Sequence, residues 1–496
     1  MTGLDKMDRT KYLDSLRGIA AVIVAFDRLF LNDLNLAFRS YWAEPASKNR
    51  VWLQLPPFRI IFAAHAMVTL FFVISGYAVS INLLRLRKRR HQADFLGQVA
   101  SVATRRVFRL FVPVVVIACV SQVLFWMNFY SWTSVEIKQF VAENKIRPWS
   151  APGGHIAFLF GYLTDIINPF GALRYKDVNH GLNEQFWTIP VEFRGSCLVY
   201  FLVVVMAPWR LQRRLIVLGA IAVYFLLYGM WDVATFVAGL WLAEMKVNQE
   251  AEQGYTHNHP HHPDFEEDSD EENVNGTLHP PFSWSTTSSL SSTLSSLSTW
   301  SSSFRADSKK TRQIMTAVSI TNIILFALGI HLMCLPSGST GGKNDGHLTT
   351  GYRLLLILQP PTWKTWDIVH HSWKAIGSVL LIYSINNSPR WLFQRPLEAS
   401  RTLQYLGRIS FPLYLVQQIV YSLWREPIKN WIWKDLTGYT YPGGQLADRE
   451  PFACVVMWIG ATMILGPVLV YLSEEVGLYV EKAGVIVARE VERWLV

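Results

Sequence analysis

Hydrophobic residues in this chain neither alternate nor keep to one helical stripe; they gather in long unbroken runs. Residues 111–125, 197–207 and 457–471 hold no charged side chain, whereas a helix facing water turns a polar face outward on every turn. Such runs belong in lipid. About 20 residues at 1.5 Å each cross the hydrocarbon core of a bilayer. On that measure the pattern predicts spans over residues 15–33, 59–83, 107–127, 186–207, 215–229, 231–245, 314–334, 372–385, 403–423 and 453–473. The expected fold is therefore an all-α membrane protein, a bundle of about ten transmembrane helices. Between the third and fourth spans, residues 128–185 form a long segment containing Pro and Gly, and its apolar stretch near 156–167 is too interrupted to cross. It reads as re-entrant or interfacial, as does the short stretch 352–358 that ends at Pro360 and Pro361.

Composition agrees with this reading. Of 496 residues, 51% are hydrophobic and 17% charged, against the roughly 25% of an ordinary soluble domain, so a water-soluble surface cannot be built. The net charge of +9 would suggest a nucleic-acid partner in a soluble protein. Here Lys and Arg cluster in short connections, RLRKRRHQ (85–92), WRLQRR (209–214) and the stretch with Arg390, Arg395 and Arg401. They read as orientation signals that put both termini and these connections in the cytosol; no nucleic acid is expected. Residues 249–312 are acidic, then His-rich, then Ser/Thr-rich, the composition of a disordered cytosolic insert. It separates residues 1–248, with helices one to six, from residues 313–496, with helices seven to ten. Its serines serve either as phosphorylation sites or as a passive solvated linker. The run His257, His259, His261 and His262 has no second ligand cluster, so no metal is expected. Cys119, Cys197, Cys334 and Cys454 share no disulfide or metal spacing and read as packing residues. No small-residue cleavage site follows the first apolar run, which should stay as a helix.

Chemistry enters with the charges inside the spans. The first span reads YLDSLRGIAAVIVAFDRLF, and a guanidinium in an apolar helix costs at least ~2.5 kcal/mol. Arg17 and Arg28 are eleven residues apart, which sets them on one helix face about 16 Å apart along the axis. Snorkelling to the two interfaces is the structural alternative. Further segments follow in order: AHAMVTLFFVISGYAVS, TRRVFRLFVP, NEQFWTIPVEF and LGRISFPLYLVQQ. Together they make the chain resemble the integral-membrane acyltransferases of family three, from Tyr12 to about Ser473 apart from the insert. That resemblance implies transfer of an acyl group, often acetyl, from acyl-CoA to a hydroxyl of a sugar, lipid or secondary metabolite, with no permanently bound cofactor. It leans toward filamentous-fungal members. Carried over to this chain, it marks Arg17 in the first-helix motif and Phe72, Ser75 and Gly76 in the FFVLSG element. It also marks Arg105, Arg106 and Arg109 in the basic stretch, Trp187 and Glu192 in W-T-x-x-x-E, and Ser410 and Tyr414 in the late element. The arginines with Ser75, Trp187 and Tyr414 are the expected donor-binding set. Glu192, a carboxylate in an apolar helix, should pair with an arginine such as Arg17 or Arg106.

Two positions depart from the pattern. The family's first-helix histidine is Arg28 here, and its Y-L-V-H element ends in Gln417. Neither a guanidinium nor an amide accepts a proton near neutral pH. Three side chains are candidates to replace the base: Asp27, which points about 100° away from Arg28; His65, with an imidazole suited to proton transfer; and His180, just before the fourth span. The expected catalytic set is His65 as base, Arg28 as stabiliser of the oxyanion, and Glu192. Expected partners are membrane lipid, acyl-CoA and a hydroxyl-bearing small molecule, sugar or lipid. The alternative is a non-catalytic descendant that binds or translocates a lipid or small molecule.

Overall fold

The computed structural model describes residues 11–30, 41–42, 46, 50–88, 92–133, 146–169, 182–258, 308–336, 350–447 and 450–495. These contain helix and no strand, with twelve α-helices of 14 residues or more. In chain order they are α1 (Lys11–Leu29), α2 (Ala64–Lys88), α3 (Gln92–Trp126), α4 (Pro152–Ile167), α5 (Thr188–Val205) and α6 (Leu211–Leu227). The second half supplies α7 (Trp231–Asn258), α8 (Ser308–Met333), α9 (Trp366–Asn387), α10 (Arg401–Thr437), α11 (Pro451–Val476) and α12 (Lys482–Leu495). Each of the ten expected spans coincides with a helix. Four helical segments among the described residues are long and apolar enough to cross a membrane: Ala64–Lys88, Phe95–Trp126, Glu184–Val205 and Pro451–Trp494. The others bury polar side chains in the bundle, such as Ser15 on α1, Glu244 on α7, Lys374 on α9 and Gln417 on α10, which lowers their hydropathy without exposing them.

Small residues set the closest helix contacts, as expected where helices pack without a hydrophobic driving force between them. On α1 and α10, Gly18 and Gly407 face each other; a Cβ on Gly18 would lie 2.6 Å from the Gly407 nitrogen. These two helices run parallel, because Gly407 meets Asp14 near the start of α1 while Arg425 Nε donates to the Leu29 carbonyl at its end, 2.7 Å. On α2 and α7, a Cβ on Gly76 or Gly239 would overlap the carbonyl of Phe236 or Val73. Gly329 and Gly377 do the same for α8 and α9.

Two apolar cores result. One gathers residues of α2, α5, α7 and α9 with Tyr12, Leu16 and Ala20 of α1; the other gathers α3, α10 and α11 with Ala21, Ala25 and Leu29 of α1. Phe71 and Tyr414 pack against both, so a seam runs along α1 between them. The end of the bundle where α1 begins is called the near end below, and the opposite one the far end.

Several boundaries differ from expectation, and for α10 the physical reason is that charges that look like a span terminus are buried by neighbours. α10 runs 37 residues to a left-handed C-cap at Gly438, φ 81°, well past residue 423. Arg425, Lys429 and Trp433 are all buried on one face at i, i+4 and i+8. Arg425 lies 4.4 Å from the Trp132 ring and Lys429 4.5 Å from the Tyr441 ring. α9 begins at Trp366, capped by the Thr365 hydroxyl, and not at residue 372. Segment 156–167 belongs to one continuous helix, α4. At the insert, α7 continues to Asn258 and α8 begins at Ser308, inside the range read as linker; residues 259–307, with His259, His261 and His262, lie outside the described residues.

Candidate active site

Nearer the near end, three helices converge on one carboxylate. Glu192 on α5 accepts from Arg106 Nη2 on α3 at 2.9 Å and from the Ser75 hydroxyl on α2 at 3.2 Å. Arg106 Nε also donates to Ser196 Oγ, one helical turn beyond Glu192, at 2.7 Å. Arg17 on α1 is half-buried and lies within electrostatic range of Glu192 and Asp14, yet it makes no hydrogen bond or ion pair with any described residue. The carboxylate expected to pair with Arg17 or Arg106 pairs with Arg106. Ser75 stands where Gly76 brings α2 against α7, so the serine's place follows from its small neighbour.

Arg105 and Arg109, expected beside Arg106, point instead to α12 and to the helical turn Gly477–Glu481 that leads into it. Arg109 makes two bonds to Glu481 Oε1, 2.8 and 2.9 Å, and Arg105 Nε lies 3.8 Å from Glu492. Both remain largely solvent-exposed.

Along the seam, the Tyr414 hydroxyl bonds to Thr188 Oγ1 at 2.8 Å and to the Gln185 carbonyl, at the turn Glu184–Trp187 that leads into α5. The same turn carries Glu184, whose carboxylate pairs with Arg28 Nη1 at 2.7 Å; the other N–H groups of Arg28 meet no described residue. Trp187 caps α5 and packs against the first core. Gln417, one turn beyond Tyr414 on α10, is buried with neither amide atom bonded to a described residue, an arrangement that leaves a desolvated donor and acceptor for a ligand or water. Asp27 is buried within electrostatic range of Arg28 and Lys374.

At the far end His65, on the first turn of α2, meets the first turns of α9. Its Nδ1 is 3.2 Å from His371 Nε2. His371 Nδ1 reaches the Asp367 carbonyl at 2.8 Å and its carboxylate at 3.3 Å, while Trp231 of α7 stacks on the ring at 4.4 Å. His370 Nε2 lies 3.4 Å from the same carboxylate, and Lys374 Nζ 3.4 Å from His370 Nδ1. His370, His371 and Lys374 are buried; His65 is exposed.

Across residues 10–472 the chain matches the acyltransferase 3 family model, described as an acyltransferase domain. The chain belongs to this family. Among similar proteins, the O-acetyltransferase PaAT-1 of Phomopsis amygdali is 23% identical over 425 residues, 82% of this chain and 71% of that one. The acyltransferase clz18 of Cochliobolus lunatus is 23% identical over 460 residues, 86% and 85% of the two chains. No solved structure matches. Family and relatives together make the protein an acyltransferase, and the leaning toward fungal members agrees with both of these relatives.

The structure of this acyltransferase brings Glu192, Arg106 and Ser75 into one group. It sets Arg28 beside Glu184, with Tyr414 at the same turn, and leaves Arg105 and Arg109 at the periphery. His65 is in electrostatic range of Arg28. His180 lies outside the described residues. Sequence reasoning missed Asp367, His370, His371 and Lys374. Their signal was present in WDIVHHSWK, where Asp, His, His and Lys at i, i+3, i+4 and i+7 share one helix face. It is hidden because Asp367, His370 and His371 fall ahead of the expected span 372–385, which separates them from Lys374 inside it. Glu184 was passed over for the same reason.

Proposed function

We propose that the protein transfers an acyl group from acyl-CoA to the hydroxyl of a lipid, sugar or secondary metabolite. The observation that carries this reading is a file of polar side chains inside an apolar bundle: Arg17, Arg106 with Glu192, Tyr414, Arg28 with Glu184, then His65. Polar and charged groups of this number, half-buried except for the exposed His65, are costly along an apolar bundle unless they serve a ligand. Arg17, with no hydrogen-bond or ion-pair partner among the described residues, is the guanidinium open to the donor's phosphates. About 16 Å further along α1, Arg28 offers its remaining N–H groups to the oxyanion that forms when the hydroxyl attacks the thioester. The donor's pantetheine arm is the part of acyl-CoA that bridges that gap. His65 accepts the hydroxyl proton. The relatives' names, an O-acetyltransferase and an acyltransferase, favour a hydroxyl acceptor and an acetyl donor.

The test uses full-length protein in lipid nanodiscs with acetyl-CoA and a panel of hydroxyl acceptors, following release of the CoA thiol and mass of the product. Thiol release that depends on an acceptor, with one acetyl added to it, is the expected result. Binding of acyl-CoA or lipid with no transfer to any acceptor would favour the non-catalytic binding or translocating descendant, to which the loss of histidine at Arg28 and Gln417 belongs.

A further inference from the structure

The hydrogen bonds around His65 fix which of its nitrogens carries a proton. A backbone carbonyl only accepts, so His371 Nδ1, 2.8 Å from the Asp367 carbonyl, must be the protonated nitrogen of a neutral His371. Its Nε2 then accepts, and His65 Nδ1 at 3.2 Å must donate to it. His65 Nε2 is left with a lone pair and no partner among the described residues, on the one exposed imidazole of the group. From the other side the Lys374 ammonium donates to His370 Nδ1, so His370 Nε2–H turns to the Asp367 carboxylate. Every bond in the chain has one donor and one acceptor, and every branch ends on Asp367. The remaining charged groups near His65 are Arg28 and, bordering Lys374, Asp27 and Arg59.

From this arrangement, and resting on the acyl-transfer reading above, we propose that His371 and Asp367 position His65 as the base in place of the two absent family histidines. The acceptor O–H bond breaks as its proton passes to His65 Nε2 and its oxygen bonds to the thioester carbonyl carbon. Collapse of the tetrahedral intermediate breaks the C–S bond, and the proton on His65 returns to the leaving thiolate. During the step the imidazolium is held by His371, whose own Nδ1–H is held by the Asp367 carbonyl at 2.8 Å with the carboxylate beside it at 3.3 Å. His371 and Asp367 touch no substrate; they are positioning residues. The trio Asp367, His370 and His371 also offers three ligand atoms within 4.8 Å of one another. A divalent cation there would lie beside the Lys374 ammonium and would displace the bonds just described, which favours the relay.

The test measures kcat and KM for donor and acceptor in wild type and in His65→Ala, His371→Ala, His371→Gln and Asp367→Asn, with melting temperature as the folding control. His65→Ala and His371→Ala should each lower kcat about 100-fold with KM little changed. His371→Gln should recover most of that loss, because an amide oxygen accepts from His65 Nδ1–H while the NH2 donates to the Asp367 carbonyl. Added imidazole should rescue His371→Ala. Should His371→Ala fail to fold, Asp367→Asn carries the test: its side chain is 55% exposed and its backbone carbonyl remains, so it should fold and lose about tenfold in kcat. Wild-type kcat in folded His371→Ala, or in Asp367→Asn where the former does not fold, would overturn the relay while leaving acyl transfer intact. So would turnover that a chelator abolishes and a divalent metal restores. A wild type that transfers nothing removes the acyl-transfer reading itself.

Discussion

Glu192 has two guanidinium groups within reach and bonds to only one of them, so Arg17 and Arg106 should fail differently when removed. Arg106 bonds to Glu192 and Ser196 across two helices; its loss leaves a half-buried carboxylate held by Ser75 alone and costs stability. Arg17 bonds to none of the described residues, and a ligand would supply the partner that its half-buried guanidinium lacks among them. We expect Arg17→Ala to weaken acyl-CoA binding by roughly 10- to 100-fold, since a charge-assisted hydrogen bond contributes ~1.5 to 3 kcal/mol, with the melting temperature unchanged. Arg106→Ala should lower the melting temperature. Calorimetric titration and thermal unfolding of both variants decide this; an Arg17→Ala protein that binds acyl-CoA like wild type moves the donor site elsewhere. Arg17 and Glu192 were legible in the sequence because a charge inside an apolar run is costly and calls for a partner, an interface or a ligand. His371 was not, because its meaning depends on His65, 306 residues away, and a histidine at a helix end looks like any interfacial residue.

At the scale of helices, the existence of ten of the twelve was readable, α4 and α12 being the exceptions, and extent was not. A run of apolar residues fixes that a helix crosses a region, but where it stops depends on what covers its polar end, as Trp132 and Tyr441 do for Arg425 and Lys429. The pairing of helices was only faintly legible, through the small residues at which they meet. α2 and α7 touch along Gly76 and Gly239, where any Cβ overlaps a backbone carbonyl of the other helix. Gly76→Ala and Gly239→Ala must therefore push two helices apart, which overpacks the core that backs Ser75. Each should destabilise by ~1 to 3 kcal/mol and reduce transfer as Ser75 leaves Glu192. Gly97→Ala on α3 is the control: nothing lies within 4 Å of its Cβ, so the gain in helix propensity of about 0.5 to 1 kcal/mol should appear as equal or higher stability. If Gly76→Ala melts with the control, the α2–α7 contact is softer than its geometry implies.

For the whole molecule, the arrangement of charge between the two ends predicts its orientation. The near end holds the basic connections: Arg85 pairs with Glu250, and Arg87 and Arg214 share Glu244, with Arg105 and Arg109 close by on α3. Even after those pairings, exposed guanidinium groups remain there, and an excess of Lys and Arg marks the cytosolic side. The far end, where α1 and α10 stop and α2 and α9 start, carries His65 and Arg28 and must then face the lumen or the exterior. On the acyl-transfer proposal, a cytosolic acyl-CoA would meet Arg17 first and the acceptor would approach His65 from the opposite side. N-glycosylation reports this directly, because it occurs only on the lumenal side. The native acceptor sequence Asn275-Gly276-Thr277 lies in the connection between α7 and α8, which leaves from the near end, and should carry no glycan. Gly438→Asn would create Asn-Tyr-Thr at the exposed far-end cap of α10. The backbone there already has φ 81°, a conformation that Asn tolerates better than other non-glycine residues, so the substitution should fold. Expressed in a eukaryotic membrane, the Gly438→Asn protein should gain one glycan that an endoglycosidase removes, while the wild type gains none. A glycan mapped to Asn275 would invert the orientation and would require the donor to enter from the end where His65 stands.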